Sequence, residues 1–186
     1  MTDRDGSFPE TPAGPFERPP RSIVDADGHE IDLVRTDLAG PDRDALVAMY
    51  ERFDPADRAQ GIPPVECDAI DRWLDDLLCE HCLNVVARDG DRIVAHAMAV
   101  PDENGTPESI DAYELAIFVE SAYQDVGIGT ELTKTLLGDA AAADVEYVWL
   151  TVERWNEPAV AVYREIGFEV VESTSFELEM AIRLSA

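Results

Sequence analysis

Residue types that could do chemistry concentrate in Gln124-Asp125-Val126-Gly127-Ile128-Gly129-Thr130. The segment before it, Ser109 to Val119, alternates in polarity and reads as a β-strand. After it, Ile128, Leu132, Leu136 and Ala140 recur every four residues, which is one face of a helix. A strand, a glycine-bearing turn and a helix N-terminus together form an anion site. The first N–H groups of a helix have no partner within it, and the helix dipole favours negative charge there. Gly127 and Gly129 lack a Cβ, so a ligand can approach the backbone and the turn can take positive φ. A pyrophosphate is the expected occupant. Two further groups stand out. Glu114 is the only charged side chain in Tyr113–Val119 and alternates with Ala116 and Phe118 on one strand face. Asn156, Ala159 and Tyr163 precede Gly167-Phe168 with helical spacing.

The loop resembles that of the GNAT superfamily of N-acetyltransferases, Gln/Arg-x-x-Gly-x-Gly/Ala. The second block resembles the family's Asn-x-x-Ala-x-x-x-Tyr helix and the Gly-Phe after it. The interval between the blocks, one helix and one strand, matches as well, and the resemblance covers about residues 31 to 184. It implies acetyl-CoA as co-substrate, no metal, and an amine acceptor that is a small molecule or a protein lysine. Transfer would be direct, in a ternary complex. The backbone around Gln124, Asp125, Val126, Gly127, Ile128, Gly129 and Thr130 would clamp the pyrophosphate. Ile117, Phe118 and Val119 would hydrogen-bond the pantetheine arm where the family's strand parts from its neighbour, with the Val119 N–H as oxyanion donor. Asn156 would bind the same arm while capping its helix.

Tyr163 would be the general acid for the coenzyme A thiolate, although Ala159, Val162, Tyr163 and Ile166 also make an ordinary buried helix face. Glu114 stands five residues before Val119, where bacterial Pat-type protein-lysine acetyltransferases carry a catalytic glutamate. A lysine ammonium, with a pKa near 10.4, must lose a proton before it attacks. A carboxylate in an apolar strand can take that proton directly or through water if its own pKa is raised. The other reading of Glu114 is a solvated glutamate on an edge face. The chain departs from the family at Asp125 and Val126, where glycine and a basic residue are frequent. An acid beside a pyrophosphate repels it. That departure leaves a second function open, a non-catalytic acyl-CoA-binding sensor.

The chain carries 40 acidic and 14 basic residues among 186, a formal net charge of −26, and Lys134 is its single lysine. Such charge makes the compact state repel itself, and high salt screens the repulsion. With acids spread along the sequence, the composition points to a halophilic surface, and a protein so acidic lacks the phosphate-neutralising charge that nucleic-acid binding needs. No apolar run reaches the ~18 residues of a membrane span. Cys67, Cys79 and Cys82 are an odd count without a signal peptide, which places the protein in a reducing cytoplasm. Cys79-Glu80-His81-Cys82 offers metal-like ligands but no second pair, so small core thiols are the expectation. His29, His81 and His96 form no dyad, and His96 is expected to be structural.

The elements that must position these groups follow in order. Residues 1–20, with five prolines, read as an extended or disordered arm; residues 21–186 read as one acetyltransferase domain. Asp25-Ala26-Asp27-Gly28 signals a hairpin turn. A helix follows Pro41 with Leu46, Met49, Tyr50 and Phe53 on one face. A loop from Asp54 to Glu66 and a second helix bearing Ile70, Trp73, Leu74, Leu77 and Leu78 would shape the acceptor pocket. Strands are expected at Asn84–Arg88, Arg92–Val100, Ser109–Val119, Tyr147–Val152, Phe168–Glu172 and Phe176–Leu184, with a helix from Pro158 to Gly167. The result is an α/β (α+β) fold with a mixed, mostly antiparallel sheet of six to seven strands and helices on both faces. Among partners, a homodimer is left open.

Overall fold

A computed structural model describes residues 8–54, 63–79, 81–102 and 112–185. Most of the loop expected to shape the acceptor pocket, residues 55–62, lies outside them, as do Met1–Ser7, Glu80 and Ser109–Asp111. In chain order the strands and helices are β1 (Pro12–Ala13), β2 (Arg21–Val24), β3 (Glu30–Arg35), α1 (Gly40–Glu51), α2 (Cys67–Asp76), β4 (Leu83–Asp89) and β5 (Arg92–Pro101). There follow β6 (Ala112–Val119), α3 (Ile128–Ala142), β7 (Tyr147–Glu153), α4 (Glu157–Ile166), β8 (Glu169–Ser173) and β9 (Glu177–Leu184).

All nine strands join one sheet in the order β1-β9-β7-β6-β5-β4-β3-β2, with β8 also on β9. Pairing is antiparallel except for β6 with β7 and β1 with β9. The mixed, mostly antiparallel sheet matches the sequence reading, but its strand number exceeds the six to seven expected. The hairpin contributes β2 as well as β3. β1 is two residues of a proline-rich arm, too short for any hydrophobic period to announce it.

That arm is ordered over the described residues 8–20. The Phe8 ring meets that of Tyr147 at a tilt, with centroids 4.7 Å apart. Gly138 of α3 lets the arm lie directly on the helix, since a Cβ there would fall 2.5 Å from the Glu17 carbonyl oxygen.

Two apolar clusters flank the sheet. On one face Ile128, Leu132, Leu136 and Ala140 of α3, all fully buried, pack with Val160 and Ile166 of α4 against Leu115, Val148 and Leu150. On the other, Leu46, Met49 and Tyr50 of α1 and Ile70 and Leu74 of α2 pack against Val86, Met98 and Phe118. β6 divides its side chains between them: Leu115, Ile117 and Val119 face α3 and α4, while Ala116 and Phe118 face α1 and α2. The period-two alternation of a strand is the cause. Local signals set the helix ends. Pro158 lies in the first turn of α4, Asn156 accepts the Ala159 N–H at 3.2 Å, and Gly167 ends the helix at φ 120°.

The sheet opens at one place. Among the described residues, β6 and β7 pair through Ala112↔Tyr147, Tyr113↔Val148 and Glu114↔Trp149. Beyond Glu114, β6 stays on β5 as far as Val119↔Ala95, and β7 stays on β9 as far as Glu153↔Glu177. A wedge therefore separates Leu115–Val119 from Leu150–Glu153.

The cysteines differ from expectation. Cys79 and Cys82 form a disulfide with Cα atoms 5.1 Å apart. α2 stops at Asp76, so the pair lies in a turn, with the Cys82 N–H donating to the Cys79 carbonyl at 3.1 Å. They are not core thiols on a helical face, and their bridged sulfurs are not metal ligands. Cys67 is a free, exposed thiol. Among the described residues no helix is long and apolar enough to cross a membrane, and no group of three or more His, Cys, Asp and Glu side chains is placed to hold a metal ion.

Candidate functional site

A cleft of about 250 Å3 lies beside the open edge of β6, on the α3/α4 side. Its walls bring together nine of the residues singled out in the sequence: Ile117 and Val119 from β6, Gln124, Asp125 and Gly127 from the loop, Gly129 and Thr130 from α3, and Asn156 and Tyr163 from α4. Thr133, Pro158, Ala159 and Val162 complete the lining. Thr133 went unnoticed although it lies one helical turn beyond Gly129, whose carbonyl its hydroxyl bonds at 2.8 Å. The signal was its place on the same helix face.

The open edge of β6 supplies backbone donors. The Glu120 N–H donates to the Val94 carbonyl on β5 at 2.9 Å. Alternation along an antiparallel pair then gives the Phe118 amide to β5 and turns the Ile117 and Val119 amides toward the wedge. An exposed strand edge of this kind is a template for an added extended chain. Phe118 is thus the member of the expected trio that turns away. Its amide serves the β5 ladder and its side chain lies in the core beneath α1 and α2, 8% exposed.

The loop presents the start of α3 to the same cleft. The Glu131 N–H is the first to reach an acceptor in the helix, the Gly127 carbonyl at 3.2 Å. The amides of Ile128, Gly129 and Thr130 precede it and form the helix's anion-binding end. Ile128 contributes only its amide, since its side chain is fully buried. Val126 likewise packs its side chain on the core and accepts the Ala26 N–H at 3.0 Å, so the β2–β3 turn props the loop. Gly127 takes φ 93°, a conformation that favours glycine, with open space where its Cβ would be. Gly129 differs from expectation. Its backbone is ordinary, and a Cβ would meet Val119 Cγ2 at 3.6 Å, a normal contact. What Gly129 provides is room in the cleft rather than an unusual conformation. Asp125, at φ 60°, does line the site, so an acid faces the anion-binding end.

Glu120 escaped the sequence reading. It is 5% exposed at the end of β6 and accepts from Arg52, just past α1, at 2.6 Å and from Arg92 of β5. Its carbonyl accepts the Tyr123 N–H at 2.8 Å, which starts the tight turn leading to Gln124, and Gln124 Nε2 donates back to the Val119 carbonyl at 3.1 Å. An acid closing an apolar strand was the available signal.

Tyr163 is half-buried on α4, with its ring 5.6 Å from that of Phe168. Burial pushes its phenol up to about 12. Glu114 is the last β6 residue paired to β7 and shares its face with Ala116 and Phe118, opposite the cleft. Its side chain is exposed.

On that opposite face an aromatic wall stands beside β6. Phe118 meets Tyr50, Phe53 and Trp73 edge-on at centroid distances of 5.8, 6.0 and 6.0 Å. Behind it Tyr50 Oη lies 2.7 Å from His96 Nδ1, and His96 Nε2 lies 3.0 Å from Asn84 Oδ1. Asn84 Nδ2 donates to the Leu77 carbonyl at 3.2 Å. The amide orientation makes His96 Nε2 the donor and Nδ1 the acceptor of the Tyr50 hydroxyl. Full burial holds His96 neutral, with its pKa pushed down to about 3. His96 is structural, as its place in β5 suggested.

The sequence profile described as Acetyltransferase (GNAT) family matches residues 42–168. An uncharacterized protein of Mycobacterium leprae is 29% identical over 154 residues, 83% of this chain and 39% of its own length. The mycothiol acetyltransferase of Corynebacterium glutamicum is 35% identical over 85 residues, 46% of this chain and 27% of its own. The chain thus spans well under half the length of these curated relatives. Among solved structures, the GNAT domain of S. lividans PAT superposes with a TM-score of 0.73 at 18% identity, covering 88% of this chain and 96% of that one; at such identity the likeness is one of fold.

Proposed function

The chain belongs to the acetyltransferase (GNAT) family, and on that premise we propose that it transfers the acetyl group of acetyl-CoA directly to a primary amine in a ternary complex. The observation that carries this reading is the wedge between β6 and β7. It gives a coenzyme one entrance, from the α3/α4 side, and leaves the face bearing Glu114 for an acceptor. The thioester and the amine would meet where the two strands part.

The amides of Ile128, Gly129 and Thr130 bind the pyrophosphate, and Asn156 bonds the pantetheine arm while capping α4. The Ile117 and Val119 N–H groups take the arm as an added strand, and Val119 donates to the carbonyl oxygen as the tetrahedral intermediate gains charge. Glu114, in contact with solvent, takes the ammonium proton through water. Tyr163 stays protonated through the neutral range. Its phenol near 12 lies about 3.5 units above an ordinary thiol. Full transfer of its proton to the departing thiolate is therefore uphill, and a hydrogen bond from the phenol carries its contribution.

Acceptors of both kinds, small amines and protein lysines, fit an exposed carboxylate. The acidic surface adds a working environment rich in salt. Thiol release from acetyl-CoA in about 2 M KCl, scored across a panel of small amines and lysine peptides, tests the reading. Amine-dependent release supports it. Tight binding of acetyl-CoA without release on any amine would leave the acyl-CoA sensor, a reading that Asp125 in the anion site favours.

A further inference from the structure

Transfer chemistry does not use the Cys79–Cys82 bridge. It joins cysteines three residues apart, so it links no elements distant in sequence and constrains the unfolded chain little. Cys79 is exposed and Cys82 half-buried. Exposed disulfides are the labile ones, whereas structural staples are enclosed. The bridge also sits at one end of a buried hydrogen-bonded line. Two residues before Cys79, the Leu77 carbonyl accepts from Asn84 Nδ2 at 3.2 Å. Asn84 Oδ1 takes His96 Nε2–H at 3.0 Å, and His96 Nδ1 takes the Tyr50 hydroxyl at 2.7 Å. The Tyr50 ring stands 5.2 Å from Trp73 and 5.8 Å from Phe118. Asn84 and Leu77 thus flank the bridged cysteines in sequence and bond to each other, and the line from that bond ends at Tyr50, one member of the aromatic wall.

We propose that Cys79–Cys82 is a thiol–disulfide exchange site for a dithiol reductant, and that its redox state sets the position of Trp73 in the aromatic wall. A thiolate of the reductant attacks Cys79 Sγ, the exposed sulfur. The S–S bond breaks with its electron pair going to Cys82 Sγ, which then takes a proton. The reductant's second thiolate attacks its own sulfur in the mixed disulfide and releases Cys79. Two electrons and two protons reach the protein, and the reductant becomes a cyclic disulfide. A monothiol stops short, because Cys82, three residues away, closes back on the mixed disulfide faster than a second molecule arrives. With the turn relaxed, the Asn84–Leu77 bond is lost, and α2 carries Trp73 away from Tyr50 and Phe118. The effect on an acceptor rests on the function proposed above; the exchange and the motion of Trp73 do not.

The test blocks Cys67 with iodoacetamide first, then treats the folded protein with dithiothreitol or with glutathione at equal total thiol. Mass spectrometry after a second, isotopically distinct alkylation reads Cys79 and Cys82, with circular dichroism and tryptophan emission followed in parallel. Dithiothreitol is expected to open the bridge with the far-ultraviolet spectrum unchanged and tryptophan emission shifted, and glutathione to leave it closed. The double variant Cys79→Ser with Cys82→Ser should show the reduced emission and ignore dithiothreitol. In Trp73→Phe the redox-dependent emission should vanish. For an active acceptor, reduction should move KM about fivefold, the worth of one neutral hydrogen bond, with acetyl-CoA affinity unchanged. A bridge that opens only in denaturant, or equally in glutathione, would overturn the exchange site, and opening without a Trp73 signal would overturn the coupling. If no amine is acetylated while emission still responds, the transferase reading falls and the exchange site stands.

Discussion

Gly127 and Gly129 stand two residues apart, one capping α3 and one in its first turn, yet the structure gives them separate jobs that mutation can resolve. Gly129 has an ordinary helical backbone, and its hypothetical Cβ meets Val119 at 3.6 Å and Ile117 at 4.0 Å. Alanine therefore fits, and its better helix propensity should add up to about 1 kcal/mol to stability. Valine adds methyl groups that project into the cleft, where they keep a phosphate from the amides of Gly129 and Thr130. Two charge-assisted hydrogen bonds are worth about 1.5 kcal/mol or more each, so Gly129→Val should weaken acetyl-CoA by at least about 10²-fold. Gly127 is the reverse case, with open space but φ 93°. A left-handed alanine costs roughly 1–2 kcal/mol. Gly127→Ala should thus lower Tm by about 2–8 °C while the amides stay reachable. Calorimetric titration with acetyl-CoA, paired with thermal melts, separates the two. A folded Gly129→Val that binds with wild-type affinity would refute the placement of the pyrophosphate.

Glu114→Gln keeps shape but loses the base, so kcat near neutral pH should fall about 10²–10⁴-fold, the deficit shrinking toward the acceptor's own pKa; full activity at pH 7 removes Glu114 from the mechanism. Tyr163→Phe should cost about tenfold in kcat, the worth of one hydrogen bond to a charged group, with acetyl-CoA affinity unchanged. A net charge of −26 predicts melting temperatures that climb steeply from about 0.1 to 2 M KCl as screening tightens; equal values would contradict a halophilic surface. In the β2–β3 turn that props the loop, the Asp25 hydrogen bond raises the pKa of His29 from 6.5. Burial opposes ionisation of Asp25, yet its bonds to His29 leave its pKa below 3.8. The pair's stabilisation is therefore fully present between those two ordinary values. It fades as pH rises through the elevated pKa of His29 or falls through the lowered pKa of Asp25. Melts of His29→Gln against the parent should differ most near pH 5–6 and converge as pH rises past the elevated pKa of His29.

Strongly periodic elements were legible in the sequence. The four-residue spacing from Ile128 to Ala140 became the buried face of α3, and the glycine turn, the capping Asn156 and the stop at Gly167 fell where their chemistry requires. Residues whose role depends on distant partners were harder to read. Nothing local says that the Phe118 amide belongs to β5 while those of Ile117 and Val119 face the wedge; that follows from register. Glu120 gained its place from Arg52 and Arg92, remote in sequence. The arm docked because Gly138, far along the chain, leaves room for Glu17. Cys79 and Cys82 read as helical thiols because the apolar spacing of α2 runs on through Leu77 and Leu78, beyond the point where the helix ends.

The central claim is that the coenzyme arm joins the sheet along the open edge of β6. Amide hydrogen exchange resolved by residue, with and without acetyl-CoA, tests it most directly. Bound coenzyme should slow exchange at Ile117 and Val119, together with Gly129 and Thr130 at the start of α3, and leave Phe118, already bonded to β5, unchanged. Protection that appears elsewhere, with Ile117 and Val119 exchanging as in the free protein, would contradict the account.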